Sequence, residues 1–212
     1  MKVYNNLNIK REHKNSVIAI GNFDGVHLGH QKVIKEAKQK AKKSKLPFGL
    51  VTFEPIPLMH FNTGVKNHRI NSANQKIIQL KKFKLDFFIV IQFNRLFSKL
   101  TAEEFIKKII NDKLESKFIY VSKNFKFGNK RLGDIRTLKQ YENIYKYKTI
   151  ITSPFTRDNK TISSTLIRKK ISIGKIEDAN KLLNRPWSVD GKVVQGKKRG
   201  RKIGFPTCNI RM

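Results

Sequence analysis

The sequence predicts an α/β fold built on a doubly wound parallel sheet, and three observations carry that expectation. Short apolar runs alternate with segments of helical period along most of the chain. A glycine-rich turn follows the first clear apolar run, the place where open sheets of this kind bind ligands. The alternation then stops after Leu183, where Asn184-Arg185-Pro186 breaks the last helical segment.

Taken in order, residues 1–16 are polar and show no apolar core of a signal peptide. The first strand expected is 17–21, followed by a lysine-rich helix over 30–43. A second strand, 49–53, ends in Thr52-Phe53-Glu54-Pro55-Ile56-Pro57, a loop stiffened by its prolines. A helix over 73–83 leads to a continuous apolar strand at 87–91. Thr101 then reads as an N-cap with Glu104 three residues on, opening a helix over 102–111. Strands at 118–121 and 149–152 flank a helix over 134–145, and helices at 164–171 and 176–183 complete the pattern. Strands separated by helices argue for parallel pairing. Beyond Leu183, residues 187–195 and 205–210 read as two strands around a Gly/Lys/Arg loop, a hairpin that is marginal in water by itself.

The chain has 212 residues, enough for one domain core and a small second module. Its longest apolar run, at 87–91, is too short to span a bilayer, and the single Cys208 suits a reducing compartment. A cytoplasmic protein with no membrane partner is therefore expected. The net charge of +31 raises the question of nucleic acid. Lysine outnumbers arginine, however, and the lysines are spread over 32–202 rather than gathered on one aromatic-studded face. That pattern predicts salt-sensitive, nonspecific binding and no specific nucleic-acid partner.

Gly21-Asn22-Phe23-Asp24-Gly25-Val26-His27-Leu28-Gly29-His30-Gln31 is the stretch richest in chemistry. His27 and His30 are spaced to share one face of a helix start, beside unpaired N–H groups and the positive helix end. Gly21, Gly25 and Gly29 leave room for a phosphate to approach. A nucleoside-triphosphate site is the reading. Ser163 or Ser164 caps the helix near Arg168, and these hydroxyls with the guanidinium suit phosphate oxygens, although an ordinary cap with an exposed arginine is the plainer account of that stretch alone. The loop after the 118–121 strand carries Asn124, Phe125, Phe127 and Gly128, suited to stacking on a planar ring or simply to anchoring the loop. No Cys/His cluster has metal-ligand spacing and no Ser-His-Asp arrangement can be argued.

With these residues in place, the chain resembles the bacterial bifunctional riboflavin kinase/FAD synthetase family. GNFDGVHLGHQ stands at 21–31, TFEP at 52–55, FxFG at 125–128, ISSTxIR at 162–168 and GRxxGFPTxN at 200–209, in the family's order. HxGH and ISSTxIR are shared with other nucleotidyltransferases; FxFG and GFPTxN single out flavin. The resemblance implies an HxGH-type nucleotidyltransferase domain over 1–184, and over 185–212 the opening β-hairpin of an incomplete β-barrel kinase domain. It implies transfer of AMP from ATP to FMN, giving FAD and pyrophosphate, with Mg²⁺ accompanying ATP. By matched position His27, His30 and Arg168 would be catalytic, and Gly21, Asn22, Phe23, Gly29, Ser163, Ser164 and Thr165 would bind ATP. Asn124, Phe125, Phe127 and Gly128 would meet the flavin at a different strand end, and Thr207 and Asn209 would be remnants of a kinase Mg-ATP site. Riboflavin phosphorylation is expected to be lost in this chain, since no acid follows Asn209. Ile56 replaces a usual His, Asn71 a usual Thr, and Ser122-Lys123 a usual glycine-containing turn, departures on the flavin side of the resemblance. Other readings are an adenylyltransferase of the nicotinamide-mononucleotide type, which would lack GFPTxN, or a catalytically idle basic protein that binds nucleic acid on the same scaffold.

Overall fold

A computed structural model describes residues 1–62, 68–157, 160–197, 199–205 and 207–211. Six strands form one parallel sheet: β1 (Lys2–Tyr4), β2 (Val17–Ile20), β3 (Phe48–Glu54), β4 (Phe87–Gln92), β5 (Phe118–Ser122) and β6 (Lys148–Thr152), in the order β1-β4-β3-β2-β5-β6. The doubly wound α/β expectation holds. From β2 the chain builds outward through β3 and β4, then returns to lay β5 on the other side of β2. That reversal opens a crevice at the carboxyl ends of β2 and β5.

Successive side chains of β2 alternate between two cores. Val17 and Ala19 join Val33, Ile34 and Phe88 on one face, while Ile18 and Ile20 join Val51, Phe87 and Ile106 on the other. A strand buried on both faces must be apolar throughout, which is why 17–20 reads as an unbroken run. Gly49 stands opposite Phe87 in the β3–β4 ladder, and a Cβ there would lie 2.2 Å from the Phe87 ring. The aromatic occupies the space that glycine leaves.

Helices cover both faces: α1 (Leu28–Ser44), the short α2 (Pro57–Phe61), α3 (Ala73–Lys81), α4 (Arg95–Ser98), α5 (Ala102–Glu104), α6 (Ile135–Gln140), α7 (Glu142–Tyr145), α8 (Ser164–Ser172) and α9 (Ile176–Leu183). Two expected helices differ. The one starting at Thr101 keeps its capping box with Glu104 but widens into a π-helix over Phe105–Lys113. The wider turn brings Phe105, Ile110 and Leu114, spaced four to five residues apart, onto one buried face. The expected 134–145 helix breaks at Tyr141 because the Tyr147 hydroxyl takes the Leu138 carbonyl at 2.5 Å, in place of a further helical N–H.

β1 escaped sequence reading because its three residues lie inside a polar stretch; it pairs with β4 as an edge. A small ladder, β7 (Thr156–Arg157) with β8 (Lys160–Thr161), precedes α8. The expected long C-terminal strands shrink to β9 (Lys192–Val194) and β10 (Asn209–Arg211), which pair antiparallel around α10 (Arg199–Lys202). The start of the expected 187–195 strand does not join that hairpin, because Trp187 and Ser188 are hydrogen-bonded to the α/β domain. Pro206 of the GFPTxN stretch and Met212 lie outside the described residues.

Candidate active site

β2 ends at the sheet's carboxyl edge and runs straight into the glycine turn. Phe23, Gly25 and Val26 all have positive φ there, 47°, 83° and 43°. For a phenylalanine and a β-branched valine this is a costly backbone, of the kind that clusters at functional sites. His27 then caps α1, its Nδ1 accepting from the His30 N–H at 3.4 Å. The two imidazoles stack, with ring centroids 3.7 Å apart.

The ISST stretch closes directly on this turn. Ser164 Oγ donates to the Asp24 carbonyl at 2.9 Å, and Arg168 Nη2 lies 3.1 Å from Asp24 Oδ2. Ser163 is the N-cap of α8, accepting from the Leu166 N–H. From the opposite side Lys76, on α3, is almost wholly buried and donates to the Asn22 carbonyl at 3.0 Å, where Thr52 Oγ1 also donates at 3.1 Å. Sequence reading passed over Lys76. Its only signal was a lysine four residues before Leu80, on the face that α3 buries.

A cavity of about 760 Å³ opens above the crevice. Its polar end is formed by Asn22, Asp24, His30, Ser164, Thr165 and Arg168, and Gly21 and Phe23 also line it. Its apolar end holds Phe53, Ile56, Phe61, Phe93, Phe97 and Phe105. Between them lies the loop after β5, with Asn124, Phe125, Phe127 and Gly128 all on the cavity wall. This loop stands at a different strand end from the glycine turn, β5 rather than β2, yet it shares the cavity with it. β2 and β5 are neighbours at the reversal, so both loops face one crevice.

Phe127 is both wall and anchor: it packs on Phe105 with centroids 5.3 Å apart and exchanges two backbone hydrogen bonds with Gly133. Phe125 stacks on it at 5.4 Å. Gly128 has φ +73° and sits where a Cβ would be 2.7 Å from the Ala102 nitrogen, so the loop closes tightly on α5.

Three expected site residues stand behind the cavity rather than in it. His27 lies beneath His30, Ser163 serves as a cap, and Gly29 allows close packing, since a Cβ would come 3.1 Å from the His27 ring. Thr207 and Asn209 are exposed, and Asn209 belongs to the β9–β10 pair, away from the residues that line the cavity.

Burial sets the electrostatics of the two histidines. Burial, with Arg168 and Arg185 nearby, lowers the His27 pKa to about 4, and burial beside His27 and Lys76 holds His30 well below its ordinary value. Both imidazoles are neutral at pH 7, and a neutral imidazole offers one donor and one acceptor nitrogen. Positive charge comes instead from Arg168 and from Lys76, whose burial brings its pKa down to about 8. No group of three metal-binding side chains occurs among the described residues. No helix there is long and apolar enough to cross a membrane.

Comparison with known proteins fits this arrangement. The FAD synthetase family model matches residues 9–166, and the riboflavin kinase model matches residues 183–212. A bifunctional riboflavin kinase/FMN adenylyltransferase of Buchnera aphidicola subsp. Schizaphis graminum is 45% identical over 204 residues, covering 96% of this chain and 65% of that protein. Its counterpart in Escherichia coli K12 is 35% identical over 194 residues, covering 92% and 62%. This chain thus spans somewhat less than two thirds of the length of these relatives. A solved structure described as a macrolide-efflux protein from Streptococcus pneumoniae superposes with a TM-score of 0.83 at 30% identity, over 99% of this chain and 68% of that one. The family match begins just after β1, ends in the first turn of α8 and covers well over half of the chain, and on that ground the chain belongs to the FAD synthetase family.

Proposed function

We propose that this chain transfers AMP from ATP to FMN, giving FAD and pyrophosphate. The observation that carries this reading is the single cavity with a donor-lined turn at one end and an aromatic box at the other. The N–H groups of Asn22, Phe23, Asp24 and Gly25 have no acceptor among the described residues, and they stand where a triphosphate would sit. The aromatic end suits the planar flavin ring, with Asn124 at its polar edge. Ile56, in place of the family's usual histidine, makes that wall apolar.

The reaction needs no protein nucleophile. An oxygen of the FMN phosphate attacks the α-phosphorus of ATP in line, the bond to the β-phosphate oxygen breaks, and pyrophosphate leaves. The phosphate oxygen already carries its charge, so no base is required. Catalysis is then alignment plus stabilisation of charge on the transferring group. Arg168 supplies fixed positive charge, His30 a hydrogen bond, and Ser164 and Thr165 a wall of hydroxyls. His27 acts through His30 and the helix cap. Mg²⁺ would arrive with ATP, held mainly by its phosphates, since the described residues offer no metal cluster.

Thr207 and Asn209 would belong to a riboflavin kinase site, in keeping with the kinase match at 183–212. We assign no riboflavin phosphorylation to residues 1–212 alone, because beyond residue 188 the described part of that region is one two-stranded pair and a short helix. No specific nucleic-acid partner is part of this reading, and a cytoplasmic setting, with the single Cys208 exposed, fits it. Incubation of the purified chain with FMN and Mg-ATP, and separately with riboflavin and Mg-ATP, followed by chromatography of the flavins, tests the reading. FAD from the first mixture supports it. Absence of FAD, with transfer to nicotinamide mononucleotide instead, would replace it by the related adenylyltransferase reading.

A further inference from the structure

The glycine turn holds a backbone shape that persists only where its surroundings over-determine it. Every carbonyl from Asn22 to Val26 is tied down. Thr52 and Lys76 hold Asn22, the Val26 N–H holds Phe23 at 3.2 Å, Ser164 holds Asp24, and Gln31 Nε2 holds Val26 at 3.0 Å. The carbonyl of Gly25 is held by Arg185 Nη2 at 2.8 Å.

Arg185 does more than this one contact. Nη2 also donates to Asn71 Oδ1 at 2.8 Å, and Nη1 donates to the Leu183 carbonyl at 3.2 Å. Two residues on, Trp187 Nε1 donates to the Ile70 carbonyl at 3.0 Å, and Gln75 Nε2 donates to the Ser188 carbonyl at 3.0 Å. Gly25 itself is wedged between Ile70 and Leu183, whose methyl carbons lie 3.0 and 3.2 Å from the position of an added Cβ. Ile70 in turn gives its N–H to Asp24 Oδ1 at 2.9 Å. Three stretches distant in sequence, 22–26, 70–75 and 183–188, are thus knotted together at one point.

We propose that residues 183–188 are a strap that positions the nucleotide turn, with Arg185 and Trp187 as its positioning residues. These residues lie beyond the 9–166 stretch that matches FAD synthetase and inside the stretch that matches riboflavin kinase. By structure they serve the α/β site. The role in ATP binding rests on the reading of the turn as a triphosphate site. Loss of a clamp lets the strained turn relax, and apparent affinity falls by the fraction of molecules that keep the competent shape.

The test uses the full chain, with Mg-ATP binding followed by calorimetry and amide hydrogen exchange followed in segments 21–31 and 118–122. Arg185→Met is expected to weaken ATP binding roughly tenfold and to speed exchange in 21–31 while leaving 118–122 unchanged. Arg185→Lys should recover part of both, since one ammonium can cover the Gly25 carbonyl but cannot fork to Asn71. Wild-type affinity and exchange in Arg185→Met overturn the strap, and so does an equal loss of protection in both segments. Should Arg185→Met fail to fold, Trp187→Phe keeps an aromatic side chain there and removes the indole N–H. It is expected to weaken ATP binding about threefold with faster exchange in 21–31, and wild-type values there overturn the strap equally. A wild-type chain that binds no ATP overturns the triphosphate reading, and with it the strap's role in ATP binding. Unchanged exchange in Arg185→Met would in that case overturn the strap itself.

Discussion

Arg168 reaches from α8 to set Nη2 3.1 Å from Oδ2 of Asp24, in the middle of the glycine turn. Its Nε donates to the His68 carbonyl at 2.8 Å, and the other oxygen of Asp24 accepts the Ile70 N–H. The guanidinium is therefore oriented at the polar end of the cavity before any ligand arrives, and Asp24, 1% exposed, is neutralised by it. Arg168→Gln leaves that carboxylate buried without its cation and should cost about 3 kcal/mol of stability. Asp24→Asn in the same chain should return part of the loss, because the orphaned charge is removed. Urea unfolding of the two single variants and the double variant gives the coupling; strict additivity would mean the pair does not interact.

His30→Ala is expected to lower FMN adenylylation by roughly two to three orders of magnitude, the scale of losing one transition-state donor, and His27→Ala to lower it through the loss of support for His30. His30 lines the cavity, so its effect should fall on kcat. His27 caps α1 and backs His30, so its variant should lose stability as well. Turnover near wild type in both would remove the histidines from the reaction.

The acid stability of the chain follows from His27. Its folded pKa of about 4 lies below the unfolded value near 6.5, so between those limits the unfolded state binds more protons. Stability from this group is complete above pH 6.5 and is lost as pH falls towards 4. His30, lowered in the same direction, adds to the slope. Thermal melts from pH 7 to 4 should show a steep decline that flattens in a His27→Gln variant. Parallel curves would place the acid lability elsewhere.

Lys76 predicts a trade-off between stability and function. Its folded pKa of about 8 lies below the ordinary 10.5, so its burial opposes folding below pH 8, and that cost fades as pH rises towards 10.5. Lys76→Met should raise Tm at pH 7 by removing a buried charge, while turnover falls roughly tenfold as Asn22 and the polar end lose their cation. A variant that melts lower and turns over normally would show a purely structural lysine.

Asn124→Ala should weaken FMN binding and leave ATP binding close to wild type. The loop shares the cavity with the glycine turn, yet Asn124 stands beside Phe125 and Phe127, between the aromatic box and the polar end. Calorimetry with each ligand separately decides it. Equal loss for both would make the loop a support for the whole cavity and not a flavin contact.

Sequence alone determined every strand of the sheet but the edge strand β1, most of the helices and the identity of the chemical groups. The reason is local: a strand buried on both faces has to be apolar throughout, as 17–20 and 87–91 are, and an amphipathic helix carries its own period, as 176–183 does. Thr101 with Glu104, and the spacing of His27 and His30, are likewise properties of neighbours in the chain. Tertiary structure alone decided what depends on distant partners. The π-helical widening answers to the buried face beneath Phe105 and Leu114, and the break at Tyr141 answers to Tyr147. Burial made His27 and His30 neutral and turned Lys76 from a helix-face lysine into a charge beneath Asn22. Strand order brought Asn124 to the same crevice as His30, and packing drew Trp187 and Ser188 out of an expected strand and set Arg185 on the glycine turn. Each of these rests on desolvation or on a contact between residues far apart in sequence, and neither the local period nor the composition of a segment carries that information.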